Sequence, residues 1–553
     1  MALRIIAHSS EIKDNCVLLR NSEEDELLSN NPIELLEFIG EKYTDTERQV
    51  PYRELKVAWN LDVFISVILK RLGLKICREL IKPSHEALFE FKDGDVIFYD
   101  FKDKPAVLPE GVFDIFYIPS KIFGLQVREH KSYIYHLAQY FDDEDEVIDP
   151  IDIHAKASDL VDAFRQMQLN PYKLTSPIAV YESSVLNHMD VPTIRDIPRG
   201  MPENQVDELI QWSEECMARD WLEAYAVGRW EAGESWDFDI SSAFGHHLSQ
   251  LYNFRYATFA KSKYYCPDAD YGLLKGTVTI YDGVKVHPIV CNQNGRLITP
   301  SGSSWYDIRT LNEIQFIEKM GIGEFKLDEG YFWRYKAPVR PFEIPLQRVF
   351  DLRHKGGMVK KLAKRIGAAL WAKLIQTNAD GSINTHYNPI MAMQTVTNSR
   401  LQVGQFIYQN RLQDHVIHVG VDGVRSSKKV SMRNEKVGMG AWTMNDATAV
   451  LVLSPGRVFT SEKKPQGLYY QDVVGMINEH PRDSYYNKTL KRSQTLSESV
   501  EMGDLKGLGE VRDFHTSIDI NLARTSQDRD FVSFPRNGGE LLSKKYYSEP
   551  IKL

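Results

Sequence analysis

Two short β-type runs, each ending in an acid and lying far apart in the chain, constrain this sequence more than any other feature. Trp236-Asp237-Phe238-Asp239-Ile240 runs into Ser241-Ser242-Ala243-Phe244-Gly245, and His418-Val419-Gly420-Val421-Asp422 runs into Gly423-Val424. A fold that brings Asp239 and Asp422 together makes a two-carboxylate site for Mg2+, which prefers hard oxygen ligands and keeps several waters. Acids at strand ends are common and usually only solvated, so the stretch between them has to carry the case.

That stretch reverses the charge of the chain. Overall the 553 residues carry a net charge of −9, yet Arg353 to Lys373 holds seven Lys or Arg and no Asp or Glu. Such a local reversal is the electrostatic footprint of an element that handles phosphates. The pattern predicts a helix from about Met358 to Gln376, on which Lys360 and Lys364 lie one turn apart, with Gly367, Ala368 and Trp371 continuing their face. Cations and a flat aromatic on one face can hold a triphosphate and support a base. A solvated basic helix is the alternative reading of the same residues.

The order acid, lysine helix, acid resembles motifs A, B and C of family B DNA polymerases, especially their compact phage, plasmid and viral branch. Asp239-Ile240-Ser241-Ser242-Ala243-Phe244-Gly245 resembles Asp-x-x-Ser-Leu-Tyr-Pro. Lys364 to Lys373 resembles Lys-x-x-x-Asn-Ser-x-Tyr-Gly-Lys, with Trp371 for Tyr and Ala368, Ala369 and Ala372 for Asn, Ser and Gly. His418 to Asp422 resembles Tyr-x-Asp-Thr-Asp with Gly420 in place of the first acid. Tyr225-Ala-Val-Gly228-Arg229 resembles the Tyr-x-Gly-Gly linker, Asn388 to Arg400 the palm helix before motif C, and Arg457-Val-Phe459 the Lys-x-Tyr motif.

A second resemblance lies in the first third of the chain and is damaged. Ala58-Trp59-Asn60-Leu61-Asp62 resembles the second proofreading-exonuclease motif. Where the first motif would read Asp-x-Glu, the chain has Ser9-Ser10-Glu11, and at the third Ser158 stands for the acid unless Asp159 serves after a one-residue slip. Two-metal hydrolysis needs several carboxylates around two cations about 3.5–4 Å apart. The expectation is an inactive 3′–5′ exonuclease.

The resemblance implies an α/β and α+β multidomain fold, an RNase H-like exonuclease-type domain followed by a right-hand palm, fingers and thumb. Anchored on the motifs, the divisions fall at residues 1–195 (exonuclease-like), 196–345 and 385–460 (palm), 346–384 (fingers) and 461–553 (thumb). Within the first, Arg4–Ala7, Ala87–Phe91 and Val96–Phe101 read as strands, and Asp62–Leu72, Lys131–Phe141 and Ala155–Met167 as helices. A Pro-containing stretch, Val191 to Pro202, reads as a connector, Asn378 to Gly381 as a turn, and the acidic run Asp142 to Glu146 as a solvated loop.

The implied activity is templated addition of deoxyribonucleotides to a primer 3′ end, with Mg2+, or Mn2+ in its place, held by Asp239, Asp422 and the backbone carbonyl near Ile240. Lys364, Lys360, Arg353, Ser242, Phe244 and Trp371 would meet the nucleotide, Phe244 as the ring that excludes a ribose 2′-hydroxyl. Tyr225, Gly228, Arg229, Arg457, Phe459, Lys488, Lys491 and Arg492 would meet DNA. The implied partners are primer–template DNA, deoxyribonucleoside triphosphates and a terminal priming protein or other replication factors. A polymerase-derived binding or scaffold protein, suggested by Gly420, Ala368 and Ala369, is the competing expectation.

Composition narrows the rest. Cys16, Cys77, Cys216, Cys266 and Cys291 show no Cys-x-x-Cys spacing, so neither a zinc site nor a disulfide framework is indicated. No stretch reaches about 18 consecutive apolar residues and the first residues lack an apolar h-region, so a cytoplasmic protein is expected.

Overall fold

The computed structural model describes the chain apart from residues 1–2, 14–15, 41–52, 73–74, 80–85, 93–94, 101–113, 119–121, 128–129, 142–148, 198–200, 218–219, 378–382, 433–437, 446–447, 461–467, 481–484, 496–497, 499–506, 508–509, 520–524 and 527–544. The acidic run and the Asn378 to Gly381 turn therefore lie outside the described residues.

The chain opens with a seven-stranded mixed sheet. Its centre is β1 (Leu3–Lys13), β2 (Arg53–Ala58) and β3 (His130–His136), with β2 parallel to both neighbours. Helix α1 (Leu61–Leu72) follows β2, with the Asn60 side chain accepting from the Asp62 and Val63 amides. Helix α2 (Pro150–Gln166) is capped by Asp149 and buries Ile153, Ala157, Leu160, Val161 and Phe164, the spacing of one helical face.

The helix expected over Lys131–Phe141 is instead strand β3 and a 3-10 turn at Ala138–Tyr140. Tyr133, Ile134 and Tyr135 in succession suit a pleated surface. What decides the matter is long-range: Ile134 pairs with Lys56 and His136 with Ala58, a partner that local periodicity does not reveal.

A second, five-stranded antiparallel sheet runs in the order β4 (Glu223–Ala224), β6 (Val416–Gly420), β7 (Gly423–Ser426), β5 (Trp236–Ile240), β8 (Trp442–Asn445). Helix α3 (Ala243–Gln250) leaves β5 directly. Between them in sequence stands a four-stranded sheet, Ala257–Ser262, Gly323–Tyr335, Tyr271–Ile280 and Ser303–Thr310, with α4 (Leu311–Met320) packed on it.

Helices α5 (Glu343–Leu352), α6 (Gly357–Lys373) and α7 (Pro389–Gln409) complete the centre. Helix α7 is buried nearly all round, apolar residues such as Ile390, Met391, Met393, Val403 and Ile407 alternating with buried polar ones such as Gln394, Thr395, Thr397 and Arg400, and its start is capped by Asn388. Helix α6 is amphipathic in the strict sense: Val359, Leu362, Ala363, Ile366, Gly367 and Leu370 are buried, while Lys360, Lys361 and Lys364 are exposed. Its buried stripe shares one hydrophobic core with Leu55, Val57, Tyr140, Leu160 and Phe164 of the first sheet and its helices. Arg365 Nη1 donates to the Gln139 carbonyl at 2.8 Å, and Lys373 pairs with Glu182 at 2.7 Å, so polar contacts fix the same junction.

Candidate active site

The geometry of the site begins with strand alternation. On β5, Phe238 and Ile240 enter the core beside Val419, Val424 and Phe406, which turns Asp237 and Asp239 to the open face. Asp239 pairs with Gly423 on β7 and Thr443 on β8, and Gly423 pairs with Gly420 on β6. Thr443, Asp239, Gly423 and Gly420 thus form one row across four strands. Val421 and Asp422 are the two-residue turn between β6 and β7, and the Ile240 amide donates to the Asp422 carbonyl at 3.0 Å. The two acids, remote in sequence, are held by neighbouring backbone.

Glycine at 423 is a requirement of this packing. A Cβ there would stand 2.8 Å from the Phe238 carbonyl oxygen and 3.0 Å from Asp239 Oδ1. The Asp239 carboxylate therefore lies over Gly423, toward the turn that carries Asp422. Thr443 Oγ1 donates to the Asp239 carbonyl at 3.1 Å and fixes the strand from its other side. Two residues back, Asp237 is paired with the buried Arg425 at 3.1 Å; burial pulls the Arg425 pKa down and the Asp237 charge opposes that.

The basic element stands next to this row. Arg353 opens the 3-10 turn before α6, its guanidinium 5.4 Å from the Phe350 ring. Partial burial lowers its pKa, and the field of the Asp239 carboxylate raises it, so the two charges sense one another. Ser242 takes a left-handed conformation, φ 56°, ψ 48°, at the junction of β5 and α3. Beyond it α3 meets α6 through glycine: a Cβ on Gly245 would lie 3.4 Å from the Gly367 carbonyl oxygen, and one on Gly367 would lie 3.4 Å from Ser242 Oγ. Phe244 and Trp371, both half-buried, face each other with ring centroids 5.3 Å apart and planes at 32°. Lys360 and Lys364 project from the exposed face of α6.

Asp239, Asp422 and the main chain at Ile240 offer hard oxygen donors, which suits Mg2+. Among the described residues no three His, Cys, Asp or Glu side chains cluster closely enough to hold a metal by themselves. A cation here would need further oxygens, from water or from a phosphate.

The residues expected to meet DNA are placed less uniformly. Tyr225 is 4% exposed and its hydroxyl donates to Glu223 at 2.9 Å. Phe459 is 1% exposed, in the core of the sheet that joins Ala226–Trp230 to Val450–Ser454. Both are structural in this fold, because a ring in the core has no face to offer. Gly228 is buried in the Ala226–Trp230 strand with φ 142°, Arg229 pairs with Glu231 at 2.9 Å, and Arg457 is half-buried. Lys488, Lys491 and Arg492 lie on the strand Tyr485–Ser493, opposite Thr516, Asp513 and Arg512.

In the first sheet a cavity of about 230 Å³ is lined by His8, Ser9, Ser10, Glu11, Ala58, Trp59, Asn60, Val63, Phe64 and Ile153. Glu11 is the one carboxylate among these, and Arg20 neutralises it at 3.1 Å. His8 is 1% exposed, and burial holds its imidazole neutral with a pKa near 3, lowered from 6.5 to about 3. Asp62 is 3% exposed and does not line the cavity; Asn60 does. Helix α2 reaches it through Ile153, whereas Ser158 and Asp159 follow five and six residues later, rotated by roughly 140° and 240° about the helix axis. Neither register of the third motif brings an acid to the cavity.

Sequence reasoning read Gly420 only as a replaced acid and gave no role to Gly423, Thr443 or the Asp237–Arg425 pair, although Gly420, Gly423 and Thr443 form the row with Asp239. Gly420 and Gly423, flanking the two-residue turn, are the signal that was there to be read.

No protein-family model matches the chain, and no curated protein matches its sequence. Solved structures do match. Phi29 DNA polymerase complexed with primer-template DNA and incoming nucleotide substrates superposes with a TM-score of 0.58 at 11% identity, covering 94% of this chain and 99% of that one. The same polymerase in an orthorhombic crystal form gives 0.57 at 10% identity, over 94% and 100%. Its complex with single-stranded DNA gives 0.55 at 9% identity, again over 94% and 100%. The likeness establishes a shared mixed α/β, multi-sheet fold over nearly the whole chain.

Proposed function

We propose that this chain, sharing the fold of Phi29 DNA polymerase, is a template-directed DNA polymerase that adds deoxyribonucleotides to a primer 3′ end and does not proofread. The observation that carries the reading is the placement of Asp239 and Asp422 on adjoining backbone, with the Ile240 amide bonded to the Asp422 carbonyl at 3.0 Å and Arg353 within the field of Asp239. On this reading residues 196–345 and 385–460 form the palm, 346–384 the fingers and 461–553 the thumb.

Asp239, Asp422 and the Ile240 carbonyl would hold Mg2+, or Mn2+. The chemistry such an ion supplies is activation of the primer 3′-hydroxyl and neutralisation of the leaving pyrophosphate. The chain's own part is electrostatic positioning. Lys360, Lys364 and Arg353 lower the repulsion that four phosphate charges would meet beside two carboxylates, and Lys364 can give a proton to the pyrophosphate as it leaves. Phe244, braced by Trp371, lies beneath the sugar and excludes a 2′-hydroxyl. Primer–template DNA and deoxyribonucleoside triphosphates are then the partners, with a terminal priming protein as a further one.

The N-terminal unit does no hydrolysis on this reading, because Ser9 stands in the cavity where the resemblance implies a carboxylate, neither Asp62 nor Asp159 lines it, and Glu11 is already paired with Arg20.

The test is extension of an end-labelled primer–template by the full chain with four deoxyribonucleotides and Mg2+ or Mn2+. Asp239→Ala and Asp422→Ala are expected to lower incorporation by roughly 10³-fold, the scale of several kcal/mol of charge stabilisation, with the fold and DNA binding kept. Full activity in either variant refutes the site. DNA binding without extension in either cation would favour the scaffold reading, for which Gly420 is the specific observation.

A further inference from the structure

The turn that joins Asp239 to helix α3 is tied to helix α7 by a carboxamide. Helix α7 packs on α3 and presents Gln402, whose Nε2 donates to the Gly440 carbonyl at 3.0 Å and whose Oε1 lies 2.7 Å from His247 Nε2 of α3. The two bonds fix each other's sense. Because only the amide nitrogen can donate to a carbonyl, the amide oxygen faces the ring, and His247 carries its proton on Nε2. Burial keeps that imidazole neutral, its pKa lowered from 6.5 to about 3, with His246 adding to the shift and Gln402 opposing it.

Gly440 passes the hold on to the candidate site. Its amide donates to the Ser241 carbonyl at 2.7 Å, and the Ser241 amide donates to the Ala441 carbonyl at 2.8 Å. The ladder between β5 and β8, in which Asp239 pairs with Thr443 and Ile240 with Trp442, is thereby carried one residue past the strand. There Ser242 turns left-handed, a conformation costly for a residue with a side chain unless its surroundings over-determine it. Its carbonyl accepts the first helical bond of α3, from the His246 amide at 2.8 Å. Gly440 has φ 82°, and a Cβ on it would lie 2.4 Å from the His246 ring, so the position is suited to glycine. Met439 closes the same joint, its Sδ 3.7 Å from where a Cβ on Gly245 would stand.

We propose that Gln402 is a positioning residue of the candidate active site: through Gly440 it holds the Ser241–Ser242 turn, and so sets Asp239 before the turn and Phe244 after it. Gln402 acts through the turn and not by touching substrate. The inference rests on the polymerase reading and deepens it, since that reading places Phe244 beneath the sugar. Loosening the turn therefore changes how the nucleotide is held and which sugar is accepted. Loss of a purely structural bond would only reduce the amount of folded protein.

The experiment measures single-nucleotide extension of a primer–template by the full chain, with rates referred to titrated active sites, for the parent, Gln402→Met and Gln402→Glu. Met keeps the bulk and removes both bonds. Glu is nearly isosteric and keeps an acceptor toward His247, losing only the donor to Gly440. In both variants the deoxyribonucleotide KM is expected to rise about tenfold, the scale of one lost hydrogen bond to a buried group, with kcat changed less and primer–template affinity unchanged. Ribonucleotide incorporation relative to deoxyribonucleotide is expected to rise about tenfold, less than for loss of the Phe244 ring itself. A smaller active fraction with unchanged KM and sugar ratio makes Gln402 merely structural and overturns the assignment. Asp239→Ala separates the two levels. If it abolishes extension while the Gln402 variants match the parent, only the Gln402 assignment falls; if it extends as the parent does, the polymerase site is wrongly placed and the Gln402 assignment falls with it.

Discussion

Glu313 offers the sharpest test of how this fold holds its parts together. It is 1% exposed and accepts from Arg309 Nη1 at 3.2 Å, Arg400 Nη2 at 2.7 Å, the Thr310 amide at 2.9 Å and Thr310 Oγ1 at 3.0 Å. Arg309 and Arg400 are themselves 0% and 2% exposed, and Arg309 also pairs with Asp307 at 2.6 Å. Glu313 thus caps the start of α4 and joins the four-stranded sheet to α7, the helix that leads into β6 and the Asp422 turn.

Glu313→Ala leaves buried Arg309 with the Asp307 carboxylate and takes from buried Arg400 the carboxylate it pairs with at 2.7 Å. Breaking a buried pair from one side costs about 3–5 kcal/mol, and losing half of a capping box adds about 1 kcal/mol. Roughly 5 kcal/mol of destabilisation is expected for Ala. Glu313→Gln keeps the volume and an acceptor for Thr310 but loses the charge, so roughly 3 kcal/mol is expected. Urea titration followed by tryptophan fluorescence measures both; Trp305 is a local reporter, its ring 5.7 Å from the Arg309 guanidinium. A loss below about 1 kcal/mol for Ala would refute the reasoning, because it would mean that water or rearrangement satisfies both arginines.

Lys364→Ala is expected to lower kcat and raise the nucleotide KM together, by roughly tenfold in their ratio, since an exposed cation on a triphosphate acts in ground and transition states alike; unchanged steady-state constants would return Lys364 to a solvated helix. Phe244→Val is expected to raise ribonucleotide incorporation relative to deoxyribonucleotide incorporation by roughly 10²-fold while slowing the latter only slightly, as competition assays would show; an unchanged ratio removes the gate assignment. A 3′-mismatched, end-labelled primer incubated with Mg2+ or Mn2+ and no nucleotides is expected to stay full length, and shortening that disappears in Glu11→Ala would show that the N-terminal cavity still cuts.

The sequence made legible what rests on local chemistry. Helix α6 could be traced because its apolar stripe and its lysines obey one period, and its described end at Lys373 falls close to the expected Gln376. Motif order led to the expectation that Asp239 and Asp422 come together; their backbones do adjoin, through the Ile240 amide and the Asp422 carbonyl, in a row that depends on Gly420 and Gly423, whose role is to lack side chains. Strand β3 was misread as helix because its partner β2 lies far away in sequence. The third exonuclease motif was sought at Ser158, although the cavity takes Ile153, because the choice depends on where α2 docks and not on its composition. Phe459 and Tyr225 matched motif positions, but burial is set by neighbours that motif matching does not see.

On the polymerase reading, the persistence of an N-terminal unit that keeps Glu11 and Asp62 but has Ser9 and Ser158 where the resemblance implies acids has a physical answer in the packing of α6. Leu362, Ile366 and Leu370 share a core with Leu55, Val57, Tyr140 and Phe164, and Arg365 and Lys373 find their partners at Gln139 and Glu182. Removing the N-terminal unit would expose the apolar stripe that orients Lys360 and Lys364, at a cost of about 2 kcal/mol for each large side chain returned to water. A carboxylate at Ser9 would contribute nothing to that packing, since Ser9 lines the cavity and belongs to no part of that core. Loss of the acids therefore leaves the buttress intact, whereas loss of the fold would release the helix. On the polymerase reading, the two halves are tied by structure even where only one retains its chemistry.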